Sequence, residues 1–290
     1  MQKRNILNSP RLLEMKRRKR RVLQNKILLS IFAFLIIFAG LTYISRFSVL
    51  NINSVEIIGN KVIDTQAIEE VVKRQIEGKY LWLIPKTNIL LYPTNDIKKE
   101  LDNKFKRLKD ITFSIKNKKT LVVSLAERIG LYTWCGIVPT EQNSDSNQKC
   151  YFLDKDGYIF DESPYFSGEV YFKFYGLTEL IEDVPSGFYF LKQNFQKLTL
   201  LKETFENMGL KPVALYLLDN GDVKIFLSTE NSLFTGPEII FKIDSDFKKI
   251  AENLEVALTT EPLQTDFKNK YPSLLYIDLR FGNKVYFKFK

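Results

Sequence analysis

The chain has 290 residues, 45% of them hydrophobic, enough for one large domain or two ordinary ones with a substantial core. Lys and Arg outnumber Asp and Glu 43 to 34, but the whole excess of +9 sits in residues 1–26, so a basic nucleic-acid-binding domain is not expected. Histidine is absent and cysteine occurs twice, which removes Ser-His-Asp and Cys-His nucleophile pairs, His-ligated metals and thiolate cages.

The basic tail, 1–26, contains the run Lys16-Arg17-Arg18-Lys19-Arg20-Arg21. Residues 27–45 (ILLSIFAFLIIFAGLTYIS) follow without a charge, fenced by Lys26 and Arg46. Nineteen residues of helix span about 28 Å, close to a bilayer's hydrocarbon thickness. The run is long for a signal-peptide core, and no small-x-small cleavage site follows, so an uncleaved transmembrane helix is predicted. Positive residues flanking its start place the N-terminus in the cytoplasm and residues 46–290 outside it.

Beyond the anchor, the Val/Ile-rich stretch 47–58 reads as a strand ending at Gly59-Asn60. Ile68, Val71, Val72 and Ile76 mark an amphipathic helix over 64–77, with Asp64 or Thr65 as cap and Gly78 closing it. Residues 79–93 are apolar but broken by Pro85 and Pro93. Packing between neighbouring elements is the preferred reading there, ahead of a peptide groove or a membrane-touching loop. A second helix runs from Asn95 or Asp96 through Phe105, then strands at 111–115 and 121–125 flank the charged turn Lys116–Lys119. The order strand, helix, helix, strand, strand predicts a three-stranded sheet with the helices on one face.

From Leu131 the pattern changes to short aromatic strands, read at 131–135, 150–154, 158–161, 170–175, 213–218, 223–228, 238–242, 274–280 and 284–289. Two helices interrupt them. Phe195, Leu198, Leu201, Phe205 and Met208 mark the first, which Gly209 ends. Phe247, Ile250, Leu254 and Leu258 mark the second, with Asp244 or Ser245 as cap. Val-Tyr-Phe-Lys-Phe occurs at 170–174 and again at 285–289, for which a shared preference for aromatic strand residues is a cheaper explanation than duplication. Cys135 and Cys150 bracket a polar segment. Bonded, they close a loop of about 15 residues, worth roughly 3 kcal/mol in the chain-entropy account; two separate buried thiols are the other reading.

No convergent acid, base and nucleophile can be assembled, so neither an enzyme nor a cofactor or metal is expected. Asp154, Asp156, Asp161 and Glu162 cluster, but not at EF-hand spacing, and a solvated turn is the simpler reading.

Five segments, in order, resemble the bacterial division family FtsQ, also called DivIB. Val55–Asn60 (VEIIGN) is similar to the opening strand and turn of a POTRA module, and Thr120–Arg128 (TLVVSLAER) to its last strand and Glu-Arg signature. Leu131–Trp134 resembles the strand that follows. Tyr151–Phe160 (YFLDKDGYIF) resembles a hairpin turned by Asp-Gly, and Ile277–Phe281 with Val285–Phe287 the closing strand pair. Gly130 departs from the family, which has proline shortly after Glu-Arg; glycine leaves that bend less fixed. The cysteine-framed loop is a second departure.

The resemblance covers nearly the whole chain. It implies an α+β protein with a cytoplasmic tail (1–26), a transmembrane helix (27–45), a POTRA domain (46–128) and a β-rich domain with two helices (129–290). It also implies a non-enzymatic scaffold at the division septum that binds FtsB- and FtsL-type partners, with other divisome proteins meeting the POTRA domain and anchor. A POTRA-bearing translocation or envelope-assembly factor is the alternative; it predicts tandem modules or a membrane barrel, and neither pattern is visible. The last two strands read as a hairpin about Gly282-Asn283, with the terminal strand at a sheet edge. Tyr276, Arg280, Phe281, Tyr286 and Lys288 are the expected partner contacts.

Overall fold

The computed structural model describes residues 10–137, 149–166, 169–176, 186–228 and 236–290. The chain is α+β, with one apolar helix near the N-terminus, a three-stranded sheet and a ten-stranded sheet. It divides into two compact units, residues 1–104 with 110–126 and residues 105–109 with 127–290.

In the first unit, helix α1 (Pro10–Ile44) is continuous through the basic run and the apolar stretch. Nothing after Pro10 breaks it, Lys and Arg are good helix formers, and proline suits a first helical position. Within it, Glu14–Ile44 is long and apolar enough to cross a membrane, as an anchor or a signal sequence would be.

The strand expected over 47–58 is shorter. Ser48–Leu50 is a 3₁₀ turn, and strand β1 occupies only Ser54–Ile58. The Asn51 side chain is the physical reason: its Nδ2 donates to the carbonyls of Ser45 (3.1 Å) and Phe47 (2.7 Å), curling the segment back toward the helix end.

Helix α2 (Thr65–Ile76) buries Ile68, Val71, Val72 and Ile76. A small hairpin not foreseen from the sequence follows, β2 (Lys79–Tyr80) with β3 (Ile84–Pro85). Helix α3 (Thr94–Lys104) buries Ile97 and Leu101. Strands β4 (Leu108–Lys116) and β5 (Thr120–Glu127) complete the sheet in the order β1-β5-β4. β1 runs parallel to β5, with Val55 opposite Leu121 and Ile57 opposite Val123. The preferred reading of 79–93 as packed between elements fails for its tips: Leu81, Trp82, Leu90 and Leu91 are exposed.

The second unit contains β6 (Tyr132–Trp134), β7 (Cys150–Leu153), β8 (Tyr158–Ser163), β9 (Lys173–Tyr175) and β10 (Phe188–Tyr189). Then come α4 (Phe195–Asn207), β11 (Pro212–Leu217), β12 (Asp222–Leu227), β13 (Glu238–Lys242), α5 (Phe247–Thr259), α6 (Leu263–Lys270), β14 (Leu274–Phe281) and β15 (Lys284–Phe289). The strands form one sheet, β10-β8-β7-β6-β9-β11-β12-β13-β14-β15. Its main core joins Leu198, Leu201 and Phe205 of α4, and Ile250 and Leu254 of α5, to strand residues such as Leu215, Ile225, Phe241 and Ile277. Burying each such side chain contributes roughly 1.5–3 kcal/mol.

Three expectations change here. Residues 105–109 group with the second unit, where the Arg107 carbonyl accepts from the Arg128 N–H (2.8 Å) and Arg107 Nε binds Asp161 (2.6 Å). The cap of α5 is Asp246, whose carboxylate accepts from the Lys248 N–H, rather than Asp244 or Ser245. Helix α6 was missed because Leu263 is its sole buried residue and leaves no stripe to read. The two copies of Val-Tyr-Phe-Lys-Phe are not equivalent: only Lys173 and Phe174 of the first enter β9, inside the sheet between β6 and β11, while the whole of the second lies in β15 at its end.

Candidate functional site

The candidate site is the hairpin β14–β15. Its register sets Phe281 opposite Lys284, Asp278 opposite Tyr286 and Tyr276 opposite Lys288. Gly282, with φ +69°, occupies the first position of the two-residue turn, a conformation glycine adopts freely. Asn253 Nδ2 of α5 donates to the Gly282 carbonyl (2.7 Å), fastening the tip. Val285, Phe287 and Phe289 pack against the core, while Tyr286 and Lys288 are exposed on the other face.

β15 ends the sheet order, and no strand among the described residues pairs with its outer side. The Lys290 N–H donates inward to the Ser273 carbonyl (2.8 Å). Backbone groups alternate along a strand, so the N–H groups of Lys288 and Tyr286 also face β14 and those of Val285, Phe287 and Phe289 face outward. A row of such groups is a template for another chain's strand.

The five residues named from the sequence lie on this hairpin in unlike settings. Phe281 and Tyr286, 55% and 49% exposed, meet edge to face at 5.2 Å between ring centroids. Tyr276 is half-buried between Lys288 and Glu238 of β13. Arg280 is engaged within the chain. Its Nε and Nη2 fork onto Asp278 (2.9 and 2.6 Å) and its Nη1 reaches Asp222 (2.7 Å), both aspartates being buried. The Asp278 hydrogen bond, followed by Asp222, raises the Arg280 pKa further above its ordinary value. Its guanidinium carbon lies 5.7 Å from the Phe281 ring, so Arg280 positions the aromatic pair and its charge is already matched. Sequence reasoning missed Asp222 and Asp278; the i, i+2 spacing of Asp278 and Arg280 on one strand face was the available signal.

The acidic cluster at 154–162 is likewise accounted for by protein groups. Asp154 is buried, contrary to the solvated turn expected there. One of its oxygens accepts the N–H groups of Asp156 (2.9 Å) and Tyr158 (3.0 Å), and the other pairs with Arg128. Arg128, the arginine of the Glu-Arg signature, also lies 4.0 Å from the Tyr158 ring centroid. Asp156 binds Lys155 and Gln196, and the Lys155 bond leads in holding its carboxyl below the usual range. No group of acidic or thiol side chains suited to a metal occurs among the described residues. Gly130 has a packing role besides any bend: the Phe152 ring lies against it so closely that a Cβ would overlap.

Cys135 and Cys150 form a disulfide. Cys135 belongs to a smaller cluster with Tyr175, Val213, Ala214 and Phe226; most of the enclosed loop, 138–148, lies outside the described residues. A groove of about 570 Å³ is lined by Tyr132, Phe172, Glu169, Lys202 and Glu206 among others. Three of its charged side chains have partners, Lys202 with Glu206 (2.8 Å) and Glu169 with Ser228 (3.0 Å).

Compared with known proteins, the chain matches no family model and no curated protein.

Proposed function

We propose that the chain is a membrane-anchored, non-enzymatic scaffold of the bacterial division machinery, of the FtsQ/DivIB type. Helix α1 serves as the anchor with its basic end in the cytoplasm. The first unit acts as the POTRA module and meets other divisome proteins. The β14–β15 edge receives a strand from FtsB- and FtsL-type partners, and so couples the cytoplasmic division ring to septal wall synthesis.

The observation that carries this reading is the edge itself. β15 offers outward backbone groups, and beside them stands the exposed Phe281–Tyr286 pair. Backbone pairing supplies affinity in strand addition, and aromatic anchors at the centre of a contact supply most of what truncation removes. Lys288 discourages unselected pairing while matching an acidic partner.

The test is calorimetric titration of the chain with the FtsB-type protein of the same cell. Phe281→Ala and Tyr286→Ala are each expected to cost about 2 kcal/mol of binding while leaving the circular dichroism unchanged. Wild-type affinity in both variants would place the dock elsewhere.

A further inference from the structure

Residues 79–93 take no part in that reading, yet they set an apolar patch beside the end of α1 that would leave a bilayer. Between β2 and β3 the chain turns through Leu81 and Trp82, closed by the Leu83 N–H to the Tyr80 carbonyl (2.9 Å). Both central residues have positive φ, +44° for Leu81 and +63° for Trp82. Bulky L-residues are strained there, and turns of this kind ordinarily use Asn and Gly. The strain is not repaid by burial within the chain, since Leu81 is 86% and Trp82 89% exposed. Leu90 and Leu91 are exposed in the same segment, and Phe47 and Val49 where the chain leaves α1.

The patch is fastened to the helix end. Arg46 donates from Nε and Nη2 to the Leu83 carbonyl (3.3 Å each), and Asn88 Nδ2 to the Ser45 carbonyl (3.3 Å). The Ile89 N–H bonds the Leu50 carbonyl (3.0 Å) and the Ile52 N–H the Thr87 carbonyl (2.8 Å). These bonds hold the turn near the level of residues 45–50, where the apolar run of α1 stops. Lys79, exposed, and Lys86, 5.8 Å from the Tyr80 ring, place positive charge on the same hairpin. Tryptophan with leucine and nearby lysine is the composition that a lipid headgroup boundary favours.

We propose that the Leu81–Leu83 turn, with Leu90 and Leu91, enters the interfacial layer of the bilayer that α1 crosses. The inference rests on the reading of α1 as an anchor. The first unit is then held to the membrane at two points, which limits its rotation about the helix axis.

The test uses the full chain carrying Trp134→Phe, so that Trp82 is the sole tryptophan, reconstituted in phosphatidylcholine–phosphatidylglycerol vesicles with brominated acyl chains. Emission is expected to fall about twofold relative to unbrominated lipid. Protein that resists alkaline extraction but shows no quenching overturns this inference and leaves the anchor standing; protein stripped from the vesicles overturns both. Trp134 is buried and its Nε1 donates to the Gly176 carbonyl, so a second measurement covers failure of that variant to fold. Amide exchange over residues 79–91 in vesicles should be about tenfold slower in the unmodified chain than in the Leu81→Asn, Trp82→Gly double variant. Equal rates overturn the proposal. The double variant should also match or exceed the unmodified chain's melting temperature in detergent, because Asn-Gly suits the turn; a lower value would mean that the two side chains serve the fold.

Discussion

Arg128 and Arg280 serve the same purpose toward opposite ends of the ten-stranded sheet, each matching an aspartate that the fold has taken out of water. The Asp154 side chain is 6% exposed and that of its partner Arg128 16%. Removing one member of such a pair strands the other. Arg128→Ala is therefore expected to lower stability by about 3–5 kcal/mol, read as an earlier urea midpoint. Arg280, 30% exposed at its side chain, has water as a substitute partner, and its replacement should cost less. Of these contacts only the Asp278–Arg280 pair, two residues apart on one strand, left a signal in the sequence. Arg128 and Asp154 are 26 residues apart and Arg280 and Asp222 are 58 apart, and charges that meet across a sheet carry no period along the chain. Phe281 and Tyr286 were named from the sequence as residues of the closing hairpin, but their ring contact was not legible, because the register sets Phe281 opposite Lys284 and Tyr286 opposite Asp278, with a shift between them.

At the scale of the element, most helices and strands follow from periodicity: α2, α4 and α5 from apolar residues three and four apart, β15 from strict alternation. The misses have local causes. Asn51 curls a stretch whose composition reads as strand. The β2–β3 turn uses Leu and Trp where a turn signal would be Asn or Gly, and α6 buries too little to show a face. Edge geometry also decides which backbone change tests the dock. Proline at Tyr286 would remove a donor that β14 needs. Val285→Pro removes a donor that faces outward and keeps a half-buried apolar side chain. It is expected to reduce partner affinity at least about tenfold, with the circular dichroism of the free chain retained, since edge strands tolerate proline on their open side. Unchanged affinity in that variant would exclude strand addition at β15.

For the whole molecule, the α+β class and the apolar helix near the N-terminus were readable from composition and periodicity. The sheet order was not. β6, β9, β11, β13 and β14 form parallel pairs between strands distant in sequence, and no short-range signal reports such pairing. The proposed orientation across the membrane rests on the positive residues before the apolar run: a fusion of alkaline phosphatase after Lys290 should be active, and an inactive, cytoplasmic fusion would reverse the proposed topology. The central claim is that this anchored chain works at the division site. Imaging a fluorescently tagged copy in dividing cells tests it most directly: the account predicts a band at mid-cell that persists while the septum closes, and an even distribution around the envelope throughout the cycle would contradict it.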